Sequence, residues 1–376
     1  GLNMPWMSSA TDLDGARRIQ NGTVDMGCYE FIKGRGDTLY VGTGGAPSGD
    51  YFTDIQSAVN ASSTGDLILV FGGVYDTGRT VTPGYGLSNR VVISKDVTVR
   101  GVNGPEGVVI LGGASPGGGS GDGAVRGVYM TAGRLENISV SNGHTLTAGD
   151  TVYDRAGGGI WSTNGCLVSN CLVRGCSARQ WGGGIYVRGG TVTHCTVSHN
   201  LADGTGASGG GVACSSGGIL LNSIVFSNHV TGSTTMGGGV YGGGDVHDCT
   251  VYGNSSDTYG GGMYCNGGLF RKCDVVGNSA GNAGGIYCAN AGLVDRCTII
   301  SNHATSGGGG IRCHSDGGIR SSLILGNTTA GNGGGARVYS GSEVENCTVV
   351  RNVADGNGGG VYCYYGGEVY NSIIYY

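Results

Sequence analysis

The amino-acid sequence predicts an all-β fold, a right-handed single-stranded parallel β-helix with a short N-terminal cap helix. Three observations predict it: a glycine-rich repeat, short strand-like segments inside each repeat, and the same residue types at equivalent positions. The apolar residue that follows each glycine run recurs every 23 to 28 residues, which is the period of a solenoid. These marker residues are Ile160, Ile185, Val212, Val240, Met263, Ile286, Ile311, Ala336 and Val361.

Each repeat contains short β-branched segments rather than a helix. No run of ten or more residues carries a 3.6-residue period, and leucines are too few for leucine-rich repeats. Strands of about four residues, three to a turn of roughly 25 residues, are typical of a parallel β-helix. In the segment 286–288, alternation places Ile286 and Cys288 inward and Tyr287 outward. We therefore expect about twelve coils, stacked about 4.8 Å apart.

Stacked coils place equivalent residues in ladders along the axis. One interior line holds Cys195, Cys249, Cys273, Cys297 and Cys347, together with Cys171, Ser223, Ser322 and Ser372. A second holds Cys214, Cys265, Cys288, Cys313 and Cys363, with Val187 and Val338 substituting. A turn line holds Asn200, Asn228, Asn254, Asn278, Asn302, Asn327 and Asn352. Cys, Ser and Val are similar in size, as a stacked interior line requires. Asn tolerates a left-handed backbone conformation, and its side-chain amide can bond to the Asn one coil away.

Composition excludes several classes of protein. There are 83 glycines in 376 residues, but only five prolines and no Gly-X-Y period, so the chain is not collagen. A net charge of −5 predicts no attraction for nucleic acid. No apolar run is long enough for a membrane span, and no signal sequence is present. Because the sequence starts at Gly1, we interpret it as a processed product or an excerpt of a longer tandem array.

The fourteen cysteines are interpreted mainly as small buried hydrophobic residues. Neighbours on a ladder would have Cα atoms within disulfide range, so cross-links between coils stay an alternative. No Cys or His cluster has the spacing of a zinc site. Cysteine usage therefore leaves the redox compartment open.

Residues 1–31 lie outside the repeat and form a separate segment. The motifs Asp12-Leu-Asp-Gly15, Arg17-Arg-Ile19, 21–27 and Tyr29-Glu-Phe31 resemble the closing motif of the choice-of-anchor Q domain of bacterial surface proteins. In that family the motif closes the C-terminal end of a β-helix, whereas here it stands at the N-terminus. Asp12 and Asp14 are candidate Ca²⁺ ligands, since carboxylates one residue apart before Gly resemble a calcium loop. The alternative is that both are turn-forming residues, and no other cofactor is expected.

The remaining chain divides into a Gly-rich linker, 32–50, and the β-helix, 51–376. The segment 51–65 predicts the cap helix, with Thr53 as N-cap and Ile55, Ala58 and Val59 on one face. This opening resembles pectate-lyase-like β-helix proteins, in which a helix caps the first coil. From 157 to 376 the coils are regular and resemble the repeats of chlamydial polymorphic outer-membrane proteins, whose Phe-x-x-Asn motif is approached by Phe226-Ser-Asn228.

The sequence contains no recognisable catalytic motif. The motifs of polygalacturonase-type glycosidases are absent, and Gly143-His-Thr145 lacks a second Gly and an acidic partner. The acidic residues Asp245, Asp248, Asp274 and Asp295 are interpreted as a solvated outer face. We therefore predict a non-enzymatic, extracellular or cell-surface structural or adhesive protein. The alternative is a polysaccharide-binding or polysaccharide-degrading β-helix with lyase-like or glycosidase-like activity.

One outward position carries aromatic residues in most coils, and we call this line the aromatic stripe. It is interrupted by Ala213, Arg312 and Arg337. The rings either stabilise the stack or form a contact surface for cell-surface glycans or a second solenoid. Its aromatic members are Trp161, Tyr186, Tyr241, Tyr264, Tyr287 and Tyr362.

The two ends of the sequence suggest self-association. The last residues are apolar, without a polar cap, and an open coil edge exposes unpaired backbone. We expect residues 1–31 of one copy to cover the last coil of the next, giving a head-to-tail homopolymer. The residues assigned to this contact are Asp12, Asp14, Arg17, Arg18, Asp25, Tyr29, Phe31, Ile373, Ile374, Tyr375 and Tyr376.

Overall fold

The computed structural model describes residues 36–42 and 49–375, together with the backbone of 19–20 and 23–24. These residues form a parallel β-solenoid of about 13 turns, which confirms the predicted fold class. In the regular region each coil adds one strand in turn to each of four parallel sheets, which we call A, B, C and D. The short antiparallel pair Ile19–Gln20 and Thr23–Val24 precedes the first coil. The right-handed sense of the helix stays a prediction.

Sheets A and B form two of the long faces and have 12 and 14 strands. The strands of sheet A are Thr80–Val81, Ser88–Ile93, Val125–Met130, Ile160–Thr163, Ile185–Arg188, Val212–Ser215, Val240–Gly242, Met263–Asn266, Ile286–Ala289, Ile311–Cys313, Ala336–Tyr339 and Val361–Tyr364. Those of sheet B are Thr38–Val41, Tyr51–Phe52, Leu67–Val70, Thr98–Gly101, Arg134–Glu136, Leu167–Ser169, Thr191–Thr193, Ile219–Leu221, Asp245–His247, Leu269–Arg271, Leu293–Asp295, Gly318–Arg320, Glu343–Glu345 and Glu368–Tyr370.

Sheet C has 12 strands, and sheet D adds eight short ones between sheets C and A. The strands of sheet C are Gly73–Tyr75, Val108–Leu111, Ser139–Ser141, Leu172–Arg174, Thr196–Ser198, Ile224–Phe226, Thr250–Tyr252, Asp274–Val276, Thr298–Ile300, Leu323–Leu325, Thr348–Val350 and Ile373–Tyr375. Those of sheet D are Ser177–Ala178, Leu201–Ala202, His229–Val230, Ser255–Tyr259, Ser279–Asn282, His303–Ala304, Thr328–Thr329 and Val353–Ala354.

The helix at the start of the solenoid spans Ile55–Ala61 and buries Ile55, Ala58 and Val59, the three residues predicted to face inward. Its N-cap is Asp54, so the prediction of Thr53 is wrong by one residue. An Asp54 carboxylate oxygen accepts the backbone N–H of Ser57 at 2.8 Å, which satisfies one of the free donors of the first turn. The first coil also begins earlier than predicted, because Thr38–Val41, inside the Gly-rich linker, pairs with Leu67–Val70 in sheet B.

The interior consists of stacked ladders of small and branched side chains. Twelve of the thirteen described cysteines are buried and all thirteen are free thiols; Cys363 is exposed. The Cys297 thiol lies within 3.7 Å of the Phe270 carbonyl and 3.5 Å of the Asp295 carbonyl. Burial raises the pKa of the Cys176 thiol to about 12. Such thiols stay protonated at neutral pH and pack as small hydrophobic groups.

The asparagine ladder satisfies buried polar groups at the turn between sheets C and D. The Asn278 side-chain oxygen accepts both the backbone N–H of Asn254 at 2.9 Å and its side-chain amide at 3.0 Å. The Asn278 amide in turn donates to Val251 O at 3.0 Å and to Asn302 Oδ1 at 3.0 Å. From Asn200 to Asn352 the ladder is at most 2% exposed. Each asparagine therefore bonds both to a backbone carbonyl of the coil before it and, up to Asn327, to the asparagine after it.

The glycine runs make room for this ladder, as Gly260, Gly261 and Gly262 illustrate. Gly260 has φ +62°, which disfavours residues with a Cβ. A Cβ on Gly261 would lie 2.2 Å from the Ser279 carbonyl oxygen, and one on Gly262 would lie 2.9 Å from the Asn278 amide nitrogen. Each glycine is thus required for a different reason: Gly260 for its backbone conformation, Gly261 for the close approach of the Ser279 backbone, and Gly262 for the space that the Asn278 side chain occupies.

Replacing Asn278 by Ala should lower the free energy of unfolding by about 2–4 kcal/mol, because it leaves buried donors of Asn254 without their acceptor. The control is Asn60→Ala on the exposed surface of the cap helix, where the Asn60 side-chain oxygen accepts from the Gln56 amide at 2.9 Å. Urea denaturation of both variants measures the difference. Equal stability of the two variants would contradict a structural role for the ladder.

Replacing Cys297 by Val should change the free energy of unfolding by about 1.5 kcal/mol or less, as a size-matched core exchange. Replacing it by Asp should prevent folding, since the carboxylate would be buried without a partner. Cys363→Asp, at the exposed end of the second ladder, is the matched control and should fold. Circular dichroism and thermal unfolding test all three; a stable Cys297→Asp variant would mean that this line does not face inward.

Candidate functional site

The aromatic stripe forms a continuous line on the outer face of sheet A. Strand register pairs each of its members with the next one along the axis, including the three interruptions. The line extends one coil further than the sequence suggested, because Tyr129 pairs with Trp161 and their rings stack at 4.6 Å. The repeat marker missed Tyr129, since no glycine triplet precedes it.

Most of the stripe is packed rather than presented to solvent. Trp161 is 2% exposed and Tyr287 is 7% exposed. The rings of Tyr264 and Tyr287 stack at 4.9 Å with an angle of 5° between their planes. Burial raises the pKa of both phenols. Along these coils the faces of the rings are occupied by one another, which supports the interpretation that the stripe stabilises the stack.

A second set of aromatic residues flanks the stripe from the segments that precede the glycines. Trp181 immediately precedes a glycine triplet and stacks on Tyr186 at 6.0 Å. Tyr259 holds the same place in a later coil and meets Tyr287 edge-on at 5.1 Å. Tyr153 packs against Trp161 at 5.2 Å. The sequence signal for Trp181 and Tyr259 was their position directly before Gly-Gly-Gly, which strand alternation does not reveal.

Ala213 interrupts the stripe and leaves a cleft of about 130 Å³. Tyr186 and Tyr241 lie two coils apart on either side of it, so their backbones are separated by about 9.5 Å. A ring held between two aromatic faces needs about 7–8 Å, twice the contact distance of carbon atoms. The Cα spacing of Tyr186 and Tyr241 thus allows one ring between them, and the Trp181 ring, stacked on Tyr186 at 6.0 Å, also borders this space. It is lined by Trp181, Tyr186, Ala213, Ser215 and Tyr241.

Polar groups of the cleft are hydroxyls and an amide. The Ser215 hydroxyl donates to the Tyr186 hydroxyl oxygen at 2.9 Å, and the Asn266 amide donates to the Tyr241 hydroxyl oxygen at 2.9 Å. Each phenol therefore accepts a hydrogen bond and keeps its own proton to donate. Burial raises the pKa of Tyr186, so this group stays protonated and neutral. The cleft combines aromatic walls with oriented uncharged donors.

A wider polar groove of about 390 Å³ runs along sheet D. There His229 Nδ1 lies 2.6 Å from the Ser255 hydroxyl, the contact of a nucleophile with a base. Asp257 is 3.9 Å from His229 Nε2, beyond hydrogen-bond distance, and its other oxygen accepts the Gly232 N–H at 2.9 Å. The imidazole is 42% exposed. The arrangement thus has a nucleophile and a base but no hydrogen-bonded carboxylate to orient the base.

The acidic residues of the outer faces do not form one site. Asp245 and Asp274 are exposed, whereas Asp295 is 8% exposed and pairs with Arg320 at 3.0 Å. His144, in the Gly143–Thr145 fragment, contacts Asn142 Oδ1 at 3.1 Å. Within residues 36–42 and 49–375, no three His, Cys, Asp or Glu side chains are grouped as a metal site. Asp12 and Asp14 lie outside the described residues, so the Ca²⁺ site stays a prediction.

The residues assigned to head-to-tail assembly are only partly described. Asp12, Asp14, Arg17, Arg18, Asp25, Tyr29, Phe31 and Tyr376 lie outside the described residues. Ile373, Ile374 and Tyr375 are 66%, 49% and 69% exposed. The assembly therefore stays a prediction. The described chain also has no helix whose length and hydropathy would suit a membrane crossing.

Comparison with known proteins yields structural likenesses only. No family model matches the sequence, and no curated protein matches it. Pectate lyase Pel9A is 16% identical, with 89% of this chain and 79% of the lyase covered and a TM-score of 0.48. A GH136 lacto-N-biosidase from Eubacterium ramulus is 9% identical, with coverages of 90% and 67% and a TM-score of 0.45. A family 28 exopolygalacturonase from Yersinia enterocolitica is 10% identical, with coverages of 90% and 78% and a TM-score of 0.36.

Replacing Tyr264 and Tyr287 together by Ser should lower the free energy of unfolding by at least about 3 kcal/mol, because stacked and largely buried rings are lost. The control is Tyr252→Ser on sheet C, where Tyr252 is 39% exposed and stacks on Phe226 at 4.9 Å. Thermal and urea unfolding compare the variants. If the double variant were as stable as Tyr252→Ser, the stacking role of the stripe would be disproved.

Proposed function

We propose that this chain is a non-enzymatic, extracellular adhesive β-helix that binds glycans at the cleft over Ala213. The observation that carries the proposal is the break in an otherwise stacked line of rings. Between Tyr264 and Tyr287 the ring faces cover each other, whereas beside the buried Ala213 the ring of Trp181, which stacks on Tyr186, and the ring of Tyr241 border a cleft. A sugar ring supplies the flat apolar face that would fill it.

The polar groups of the cleft also suit a sugar. A pyranose has apolar C–H faces and a rim of hydroxyls, so it needs flat walls and donors or acceptors at the edges. The aromatic side chains offer the walls, while the Tyr186 and Ser215 hydroxyls lie at the edge. The lining contains no charged side chain, which favours an uncharged unit at this position. Binding here would be shallow and weak for a single ring, as befits an adhesive surface that acts through several contacts.

The solenoid supports an adhesive role because it holds the cleft on a rigid frame. Ala213 lies in the middle of a strand paired on both sides, and its Cα neighbours along the stripe are Tyr186 and Tyr241. Sites on regular elements keep their geometry better than sites on loops. The resemblance of residues 157–376 to surface-protein repeats supports the extracellular location.

A hydrolytic function is the second candidate, and the Ser255–His229 contact favours it. The two groups lie in a groove lined by residues of four successive coils, an arrangement that suits a chain-like substrate. An ester on a polysaccharide would be the substrate class, since a serine nucleophile forms an acyl intermediate. Asp257 would have to move by about an ångström to orient the imidazole, which makes this candidate the weaker one.

A variant that fills the cleft with a larger side chain tests the proposal. Ala213→Trp should place a ring between Tyr186 and Tyr241 and reduce affinity for neutral oligosaccharides at least tenfold. The matched control is Thr250→Trp, on the outer face of sheet C, which should bind as the original chain does. A glycan array identifies a neutral ligand, and titration calorimetry with that ligand compares the three proteins, with thermal unfolding as a check of the fold.

Two outcomes would overturn the proposal. Undiminished binding by Ala213→Trp would place the glycan elsewhere. Release of reducing ends or of ester groups from the same glycans, abolished by Ser255→Ala, would establish the enzymatic alternative instead.

A further inference from the structure

The second interruption of the stripe is a pair of arginines on adjacent coils. Arg312 and Arg337 are register partners in sheet A, so their Cα atoms lie about 4.8 Å apart. Some arginines on the outer faces have carboxylate partners, namely Arg100 with Glu136 at 2.8 Å and Arg320 with Asp295 at 3.0 Å. Within the described part of the chain, neither member of the pair lies within 4.0 Å of a carboxylate oxygen.

The few hydrogen bonds of the pair leave most of its donors free. Arg312 Nη1 donates to Asn282 Oδ1 at 2.6 Å, and Arg337 Nη1 has one contact with the Ser306 carbonyl at 3.4 Å. Among the described residues, the Nε atoms of both arginines have no hydrogen-bond partner and are buried, so only the Nη groups can reach a ligand. A guanidinium has five N–H donors, so the pair holds unused donor capacity in a small area.

Tyrosine rings hold the two guanidinium groups in place. The Arg312 guanidinium carbon lies 4.6 Å from the centre of the Tyr339 ring and 5.3 Å from that of Tyr287. The Arg337 carbon lies 5.1 Å from Tyr339 and 5.5 Å from Tyr364. A guanidinium contacts a ring face through its own flat face. The N–H groups at its edge therefore stay able to donate hydrogen bonds. The rings therefore orient the pair without neutralising it.

Gly307 allows this arrangement. A Cβ at this position would lie 2.7 Å from Arg337 Nη1 and 3.1 Å from Arg337 Cδ, so a side chain would displace the arginine. Nearby His314 adds no charge at neutral pH, because burial and the adjacent Arg312 both lower its pKa. The local positive charge thus belongs to the two arginines in a molecule whose net charge is −5.

We propose that Arg312 and Arg337 bind a carboxylate or sulfate group of an acidic glycan that lies along the stripe. An anion bridging the two guanidinium groups would relieve their mutual repulsion and accept hydrogen bonds from their Nη groups. The pair is four coils from Ala213, or about 19 Å, a distance that a short oligosaccharide spans. The inference rests on the proposed glycan-binding function and specifies the ligand: an oligosaccharide with an uncharged unit at the cleft and an acidic group at the arginine pair.

The test compares oligosaccharides of equal length by titration calorimetry at low and physiological salt. The probes are a neutral hexasaccharide, a hexasaccharide containing uronate and a sulfated hexasaccharide, so the two acidic probes distinguish carboxylate from sulfate. The original chain should bind at least one acidic probe at least tenfold more tightly than the neutral probe, and this preference should shrink with added salt. Arg312→Gln/Arg337→Gln should bind acidic and neutral probes within about twofold of each other.

Control variants separate the arginine pair from the cleft. Arg320→Gln, which removes an arginine on sheet B, should keep the full acidic preference. Ala213→Trp should weaken every probe but keep the preference between them. If Ala213→Trp changed nothing while the arginine variant lost the preference, the cleft would be rejected and the arginine site retained.

Two results would overturn the inference: equal affinity of the original chain for all probes, or an unchanged acidic preference in the Gln double variant. If that variant failed to fold, Arg312→Lys/Arg337→Lys would replace it. This variant keeps the positive charge but loses the planar fork, so the preference should drop at least threefold. An undiminished preference in the Lys variant would reject recognition by paired guanidinium groups.

Discussion

The whole structure depends on one constraint: every residue in a regular coil has as its neighbour the equivalent residue one coil away. At a spacing of about 4.8 Å, a buried polar group can be satisfied by its own copy, and a buried apolar group must match its copy in size. The asparagine ladder uses the first consequence, since each amide both donates to and accepts from its neighbours. The cysteine, serine and valine ladders use the second.

This constraint explains why the sequence predicted the fold so fully. A residue such as Asn278 or Cys297 is recognisable because its environment repeats, so its position in the period indicates its partner. The same reasoning fails where the repeat is irregular. Asp54 caps the helix instead of Thr53 because its carboxylate accepts the Ser57 backbone N–H. This hydrogen bond occurs once in the chain, so the repeat pattern does not predict it. Buried Arg126 was likewise missed, since its partners, such as Asn89 and the Gly157 carbonyl, come from non-repeating segments.

The candidate site was predictable only in part, for a related reason. Strand register follows from the repeat, so the line from Trp161 to Tyr362 and its interruptions could be identified from the sequence. The depth of the cleft could not be predicted from the sequence, because it depends on the position of the Trp181 side chain, whose ring stacks on that of Tyr186. Turn segments differ in length between coils, and their side chains are placed by tertiary contacts. The free donors of Arg312 and Arg337 could not be predicted either, because a sequence does not show whether a side chain has a hydrogen-bond partner.

In a ladder protein, the inward and turn positions are dictated by stacking, so departures from the ladder on the outer face carry the most information about binding. Ala213 stands where the neighbouring coils carry tyrosines such as Tyr241, whose ring lies 5.6 Å from that of Tyr264. Alanine forgoes that stabilisation and opens a space between ring faces. Adjacent arginines in one line likewise cost repulsion that a tyrosine pair would avoid. Both departures interrupt the line of stripe rings, and each creates a feature suited to a ligand: a slot for a ring, and a pair of donors for an anion.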